Sequence, residues 1–171
     1  MYLMLPLLLA GLTAQGLEPL SRARLLADRS AVTPGGQVTL GLQLVMAPGW
    51  HTYADPPGDS GMAPRINFKQ PSDLRDASWR FPPPHAFRDA AGVTYGYENV
   101  ALLLIDARVP PDAPVGGNWT VRADVEWLIC RELCRPMFAT VELELPVRDR
   151  EVLFPNWTPL LRRGGWPAAR E

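Results

Sequence analysis

Proline sets the first limit on this chain. It occupies 19 of 171 positions and recurs along most of the length. Its ring fixes φ and removes a backbone donor, so it breaks helix interiors and is confined in sheets to edges, first positions and bulges. Pro56-Pro57-Gly58-Asp59, Pro82-Pro83-Pro84 and the stretch from Pro110 to Gly117 read as turns. Little room is left for long helices, and short strands joined by many turns are expected.

The strand pattern agrees. Val38, Leu40, Leu42, Leu44 and Met46 alternate against Thr39, Gly41 and Gln43. Trp119, Val121, Ala123, Val125 and Trp127 alternate against Thr120, Arg122, Asp124 and Glu126. Ala139, Val141, Leu143 and Leu145 alternate against Thr140, Glu142 and Glu144. A period of two, apolar inward and polar outward, marks a half-buried strand. Weaker candidates lie at 21–28, 65–69, 77–81 and 100–107. About seven short strands without a strong helix pattern predict an all-β fold, an immunoglobulin-like two-sheet β-sandwich. No internal repeat is visible. With 171 residues the chain has room for one sizeable core rather than two. A formal net charge of −1 argues against nucleic acid or an anionic membrane surface as partner.

The two ends read differently from the middle. Residues 1–16 contain the run from Leu3 to Ala10, too short for a membrane span but of signal-peptide length. Ala14 and Gly16 place small residues where cleavage before Leu17 requires them, although no Lys or Arg precedes the run. The expected organisation is a signal peptide at 1–16, a β-sandwich at 17–147 and a short tail at 148–171. The mature chain is expected to be exported without a membrane span. In the tail, Phe154, Trp157, Leu160 and Leu161 suggest a helical face interrupted by Pro155 and Pro159, so a short helix or an extended arm is expected. Asn118-Trp119-Thr120 and Asn156-Trp157-Thr158 match the glycosylation pattern, a weak motif.

Chemistry concentrates on the two cysteines, Cys130 and Cys134, with three residues between them. An even count in an exported chain suggests a disulfide. A bridge closing about five residues gains only about 2 kcal/mol from chain entropy, against roughly 4.7 for a 100-residue loop. A staple is better placed between distant strands. A local pair can open and close without unfolding its domain. Each cysteine is followed by an arginine, Arg131 and Arg135, and a nearby cation favours the reactive thiolate. These points favour a redox pair over a passive staple and leave both open. A third reading is copper, which two thiolates and a histidine can bind, His51 and His85 being the histidines present. Hydrolase and phosphate-binding motifs are absent from the sequence.

Four segments then carry a resemblance: Gly49-Trp50-His51-Thr52-Tyr53, Pro57-Gly58-Asp59-Ser60-Gly61, Val93-Thr94-Tyr95-Gly96-Tyr97-Glu98, and Trp127-Leu128-Ile129-Cys130 with Cys134 and Pro136. In this order they resemble the N-terminal periplasmic domain of DsbD-type thiol:disulfide interchange proteins, nearest the ScsB-like branch, over roughly 20–147. The resemblance implies an immunoglobulin-like sandwich in the periplasm. It also implies a two-electron relay between a membrane electron-transfer protein and oxidised thioredoxin-fold proteins. No bound cofactor is needed, because the electrons reside in the cysteine pair. DsbD chains continue into membrane and thioredoxin-like domains, whereas this sequence ends at 171, so either a separate protein is expected to reduce it or it is expected to serve another thiol task.

The resemblance also assigns candidate site residues. Cys130 and Cys134 are the exchanging pair, with Cys134 meeting partners and Cys130 resolving. Cys130 follows an alternating strand and should lie nearer the core. His51, Tyr53 and Trp127 are candidate site-lining residues, Trp127 chiefly as core. Thr94, Tyr95 and Gly96 fall where the family has a cap loop, with Tyr95 as the covering aromatic. Asp59 and Glu98 read as loop hydrogen-bonding residues rather than acid–base groups.

Overall fold

The computed structural model describes residues 19–70, 74, 79–90, 92–154 and 157–166. The expected signal peptide at 1–16 and the second glycosylation asparagine, Asn156, lie outside these residues. Twelve strands and one helix are present among the described residues. In chain order they are β1 (Ser21–Ala27), β2 (Arg29–Ala31), β3 (Gln37–Met46), β4 (His51–Gly58), β5 (Arg65–Gln70) and β6 (Trp79–Arg80). There follow β7 (His85–Asp89), β8 (Gly92–Glu98), β9 (Val100–Arg108), β10 (Asn118–Cys130), β11 (Cys134–Pro146), β12 (Val152–Leu153) and α1 (Trp157–Arg163).

The first sheet runs β1-β3-β9-β6. The second runs β11-β10-β4-β8-β7, with β5 also on β10, while β12 pairs with β2. All these pairings are antiparallel. The fold is the all-β, immunoglobulin-like sandwich that the pattern predicts. Its core interleaves Leu40, Leu42 and Leu44 of β3 and Leu103 and Ile105 of β9 with Val121, Val125, Trp127 and Ile129 of β10. Trp127 crosses between the sheets, its indole N–H donating to Ser21 Oγ at 3.0 Å, and the Ser21 hydroxyl donates to the Val45 carbonyl.

The outer face of the first sheet is covered at its centre, while Arg22, Arg24, Val45 and Asp106 on the same face are exposed. Ala101, Leu103 and Ile105 enter the core, while Leu102 and Leu104 point the other way and are still buried. Leu102 lies under Gly164, and the Trp166 indole donates to its carbonyl at 2.6 Å. The Arg80 guanidinium sits 5.7 Å from the Trp166 ring. The run from Val100 to Ile105 is therefore a strand buried on both sides, which needs no polar alternation.

Several expectations change. Pro56, Pro57 and Gly58 form the end of β4 rather than a turn, with the register slipping between Tyr53 and Gly58 where β4 pairs with β8. Such an irregularity lets a strand accommodate proline. The segments at β4 and β8, expected as motif, turn or cap loop, are both strands, and β7 is a strand for which the sequence pattern gives no expectation. In the tail, α1 contains Pro159 in its first turn, where a missing N–H costs nothing. Among the described residues no helix is long and apolar enough to cross a membrane.

Candidate functional site

The site is built at the tip of the β10–β11 hairpin. The register pairs Cys130 directly with Cys134, and residues 131–133 make the turn. A direct antiparallel pair puts both side chains on one face of the sheet. The two cysteines form a disulfide, their Cα atoms 4.1 Å apart. The alternation of β10 decides which face. Val125, Trp127 and Ile129 enter the core, so Cys130 faces outward.

An outward residue at the end of a strand should be exposed, yet Cys130 is 4% exposed. Its neighbour strand explains this. Ile129 pairs with Thr52 and Cys130 with His51, and the Thr52 hydroxyl donates to the Leu128 carbonyl at 2.9 Å. This fastening sets β4 beside the disulfide and brings Tyr53, two positions after His51, onto the same outer face. Tyr53 is also 4% exposed, and its hydroxyl donates to Cys130 Sγ at 3.0 Å. The same oxygen lies 3.7 Å from Cys134 Sγ. Cys134 itself is exposed. The pair is thus asymmetric, one sulfur covered by a phenol and the other open. Cys130 is buried by Tyr53 on the outer face, not by proximity to the core.

Aromatic packing extends from Tyr53. The His51 ring meets it edge-on with centroids 5.4 Å apart, and stacks on Phe87 of β7 at 4.5 Å. Phe87 is not among the candidates read from the sequence, because the apolar residues of His85–Asp89, Ala86 and Phe87, are adjacent and show no alternation. On the other side of the turn, the Arg131 guanidinium lies 5.7 Å from the Trp50 ring. Arg131 and Arg135 border a shallow recess of about 170 Å³ with Trp50, Glu132 and Leu133. Leu133 is 73% exposed, beside Cys134. A larger groove of about 790 Å³ lies further along the outer face, between Arg65 and Ile66 of β5 and Phe138 and Thr140 of β11. Neither cysteine lines it.

The other candidates separate. Trp127 faces the core, on the side of β10 opposite Cys130. Gly96 pairs with Tyr53, and the carbonyl of Thr52 leaves no space for a Cβ there. Thr94 is buried and pairs with Gly58 and with Phe87. Tyr95 alternates to the side of β8 opposite Thr94 and Gly96 and is 40% exposed. The Tyr53 hydroxyl is the aromatic group hydrogen-bonded to Cys130 among the described residues. Asp59 is a loop hydrogen-bonding residue: its carboxylate accepts from the Val93 N–H at 2.7 Å, and its own N–H donates to the Val93 carbonyl. Glu98 is exposed opposite His51 in the register. His85 lies across β8 from Tyr53, paired with Gly96. Among the described residues no three His, Cys, Asp or Glu side chains cluster as metal ligands would.

Comparison with known proteins gives one family and one fold. The sequence matches the family model for the N-terminal domain of thiol:disulfide interchange protein DsbD over residues 22–146. The N-terminal periplasmic domain of ScsB from Proteus mirabilis has a similar fold, with a TM-score of 0.58 and 24% identity. That match covers 84% of this chain and 51% of the other, so the chain spans about half the length of that structure. A family 123 glycoside hydrolase from Clostridium perfringens is matched at a TM-score of 0.36 and 8% identity, over 74% of this chain and 27% of that one. That likeness is too distant to bear on the fold. No curated protein sequence matches.

Proposed function

The chain belongs to the family of DsbD N-terminal domains, and from that premise we propose that it relays two electrons by thiol–disulfide exchange through Cys130 and Cys134. The observation that carries the reading is the asymmetric disulfide at a hairpin tip: Cys134 is open to a macromolecule and Cys130 is covered. Exchange proceeds by in-line attack of a thiolate on one sulfur while the other leaves. Only Cys134 offers an approach. A partner's thiolate attacks Cys134 Sγ, a mixed disulfide forms there, and Cys130 leaves with the electron pair. In the opposite direction the Cys134 thiolate opens a partner's disulfide, and Cys130 resolves the mixed disulfide.

The partner class follows from shape. The recess beside the pair is shallow, about 170 Å³, below the usual volume of small-molecule pockets. Exposed Leu133 and the arginines at 131 and 135 suit a protein surface carrying its own cysteine pair. Thioredoxin-fold proteins on one side and a membrane electron-transfer protein on the other fit that description. The compartment is the periplasm, reached through the leader at 1–16. The reaction needs no bound cofactor.

Trapping tests this reading. A Cys130→Ala chain expressed with its leader should accumulate mixed disulfides through Cys134 with proteins that carry paired cysteines. Absence of such adducts, or adducts that persist when Cys134 is also replaced, would exclude the relay.

A further inference from the structure

The segment Pro57-Gly58-Asp59-Ser60-Gly61, which follows Tyr53 in the chain, makes contacts that the exchange reaction alone does not explain. Gly61 has φ of +96°, and its Cα rests against the Tyr53 ring so closely that a Cβ there would overlap the ring carbons. Gly58, with φ of +95°, brings the chain off β4 against the backbone of Val93 and Thr94. Asp59 then fixes the segment to β8 through two bonds, its N–H to the Val93 carbonyl at 2.9 Å and the Val93 N–H to its carboxylate at 2.7 Å. The segment is therefore tied to the second sheet at Asp59 and presses on Tyr53 at Gly61. At the far end of that ring, the hydroxyl points at Cys130 Sγ.

We infer that Tyr53 is a thiolate-stabilising residue of the exchange reaction, and that the 58–61 segment is the clamp that aims its hydroxyl at Cys130. The inference rests on the exchange reading and adds a division of labour to it. When a partner thiolate attacks Cys134 Sγ, the Cys130–Cys134 bond breaks as the partner–Cys134 bond forms. The electron pair of the broken bond passes to Cys130 Sγ. That sulfur is almost fully buried, where an unassisted negative charge is costly. The Tyr53 O–H is already directed at it and needs no reorganisation, which is the condition for preorganised stabilisation of a developing charge. A hydrogen bond to a charged acceptor is stronger than one to a neutral acceptor, so the bond strengthens as the reaction proceeds. By reversibility, the same bond holds Cys130 as thiolate, ready to attack the mixed disulfide at Cys134. Tyr53 thus makes Cys130 the leaving and resolving sulfur and leaves Cys134 to the partner.

The test uses the full chain and three substitutions. With Cys134→Ala, the fraction of Cys130 present as thiolate is followed against pH by its ultraviolet absorbance. Adding Tyr53→Phe keeps the ring and removes the hydroxyl. The expected result is about tenfold less Cys130 thiolate at a given pH, the loss of roughly one charge-assisted hydrogen bond. Adding Gly61→Ala instead leaves the hydroxyl in the protein but displaces it, and should move the titration the same way. In the two-cysteine protein, Tyr53→Phe should slow reduction by dithiothreitol several-fold, because a more basic thiolate leaves more slowly. An unchanged titration and an unchanged rate in Tyr53→Phe would overturn the role of the hydroxyl. A titration moved by Tyr53→Phe but not by Gly61→Ala would overturn the clamp. Resistance of the folded wild-type disulfide to dithiothreitol would instead overturn the exchange reading beneath both.

Discussion

The two sheets of this sandwich treat the centres of their outer faces in opposite ways. The first sheet sends Leu102 and Leu104 outward and then covers them, with Gly164 and Trp166 of the tail lying over Leu102. The second sheet leaves its outer face open and places there Cys130, Cys134, Tyr53, His51 and Phe87, with polar pairs such as Asp124–Thr140 further along. The first face gains stability from apolar burial. The second gives it up and exposes a sulfur that a partner can reach. The local nature of the disulfide makes this arrangement workable, because opening a short loop changes little in the unfolded chain's entropy. On the proposed relay, this is what would let the domain cycle between oxidised and reduced states with its core intact.

The largest break of this comparison is in the shared core. Trp127→Ala should destabilise the domain by about 3–5 kcal/mol, the usual loss for a buried tryptophan. Denaturant unfolding of the oxidised protein measures it. Trp127 faces away from the cysteines, so the folded variant should keep its exchange chemistry.

Next comes the cover of the first sheet. Trp166→Ala removes the indole bond to Leu102 and the stacking of Arg80, and opens the outer face above Leu102. A loss of about 1–3 kcal/mol is expected. Disulfide reactivity, on the other sheet, should not change. A variant that alters thiol exchange as much as stability would show that the two faces are coupled.

The disulfide itself is worth less than the core. Replacing both cysteines by serine should cost only about 2 kcal/mol, with circular dichroism of the folded state retained. A chain that failed to fold would mean that the pair is a staple after all.

The smallest effect lies on the open face away from the site. The Thr140 hydroxyl donates to Asp124 at 2.8 Å and Lys69 lies 3.2 Å away, and these partners hold the Asp124 carboxyl below its ordinary range. A carboxyl depressed in the folded state contributes stability above its unfolded pKa and loses it as pH falls through the lower folded value. Asp124 is solvent-exposed, so the contribution is small. Thr140→Val should slightly lower the neutral plateau of a stability–pH profile and flatten its acid limb, with little change at the acid end where Asp124 is protonated in both states.

Much of this contrast was legible in the sequence, and the omissions are informative. β3, β10 and β11 announce themselves by strict alternation, but the expectation that Cys130 would lie nearer the core missed that it stands on the face of β10 opposite Trp127. The spacing of the cysteines, with arginine after each, pointed to a working dithiol. The strands that complete the site did not announce themselves. In β4, Thr52, Tyr53 and Ala54 are all buried in succession and two prolines follow, so no period of two survives. The bond between Tyr53 and Cys130 joins residues 77 apart, a contact set by sheet order, which local pattern does not encode. The same limit led to Tyr95 as the covering aromatic. A motif can place a segment near the site, but only the register of β4 on β10 decides which ring lies on which face.

The most direct test of the whole account is a redox titration of the folded protein. Samples are equilibrated in a series of glutathione and dithiothreitol buffers, the thiols are quenched and counted, and circular dichroism is followed in parallel. The account predicts a single reversible two-electron transition between disulfide and dithiol, with the β-sandwich signal retained throughout. A disulfide that is reduced only where the fold is also lost would contradict it.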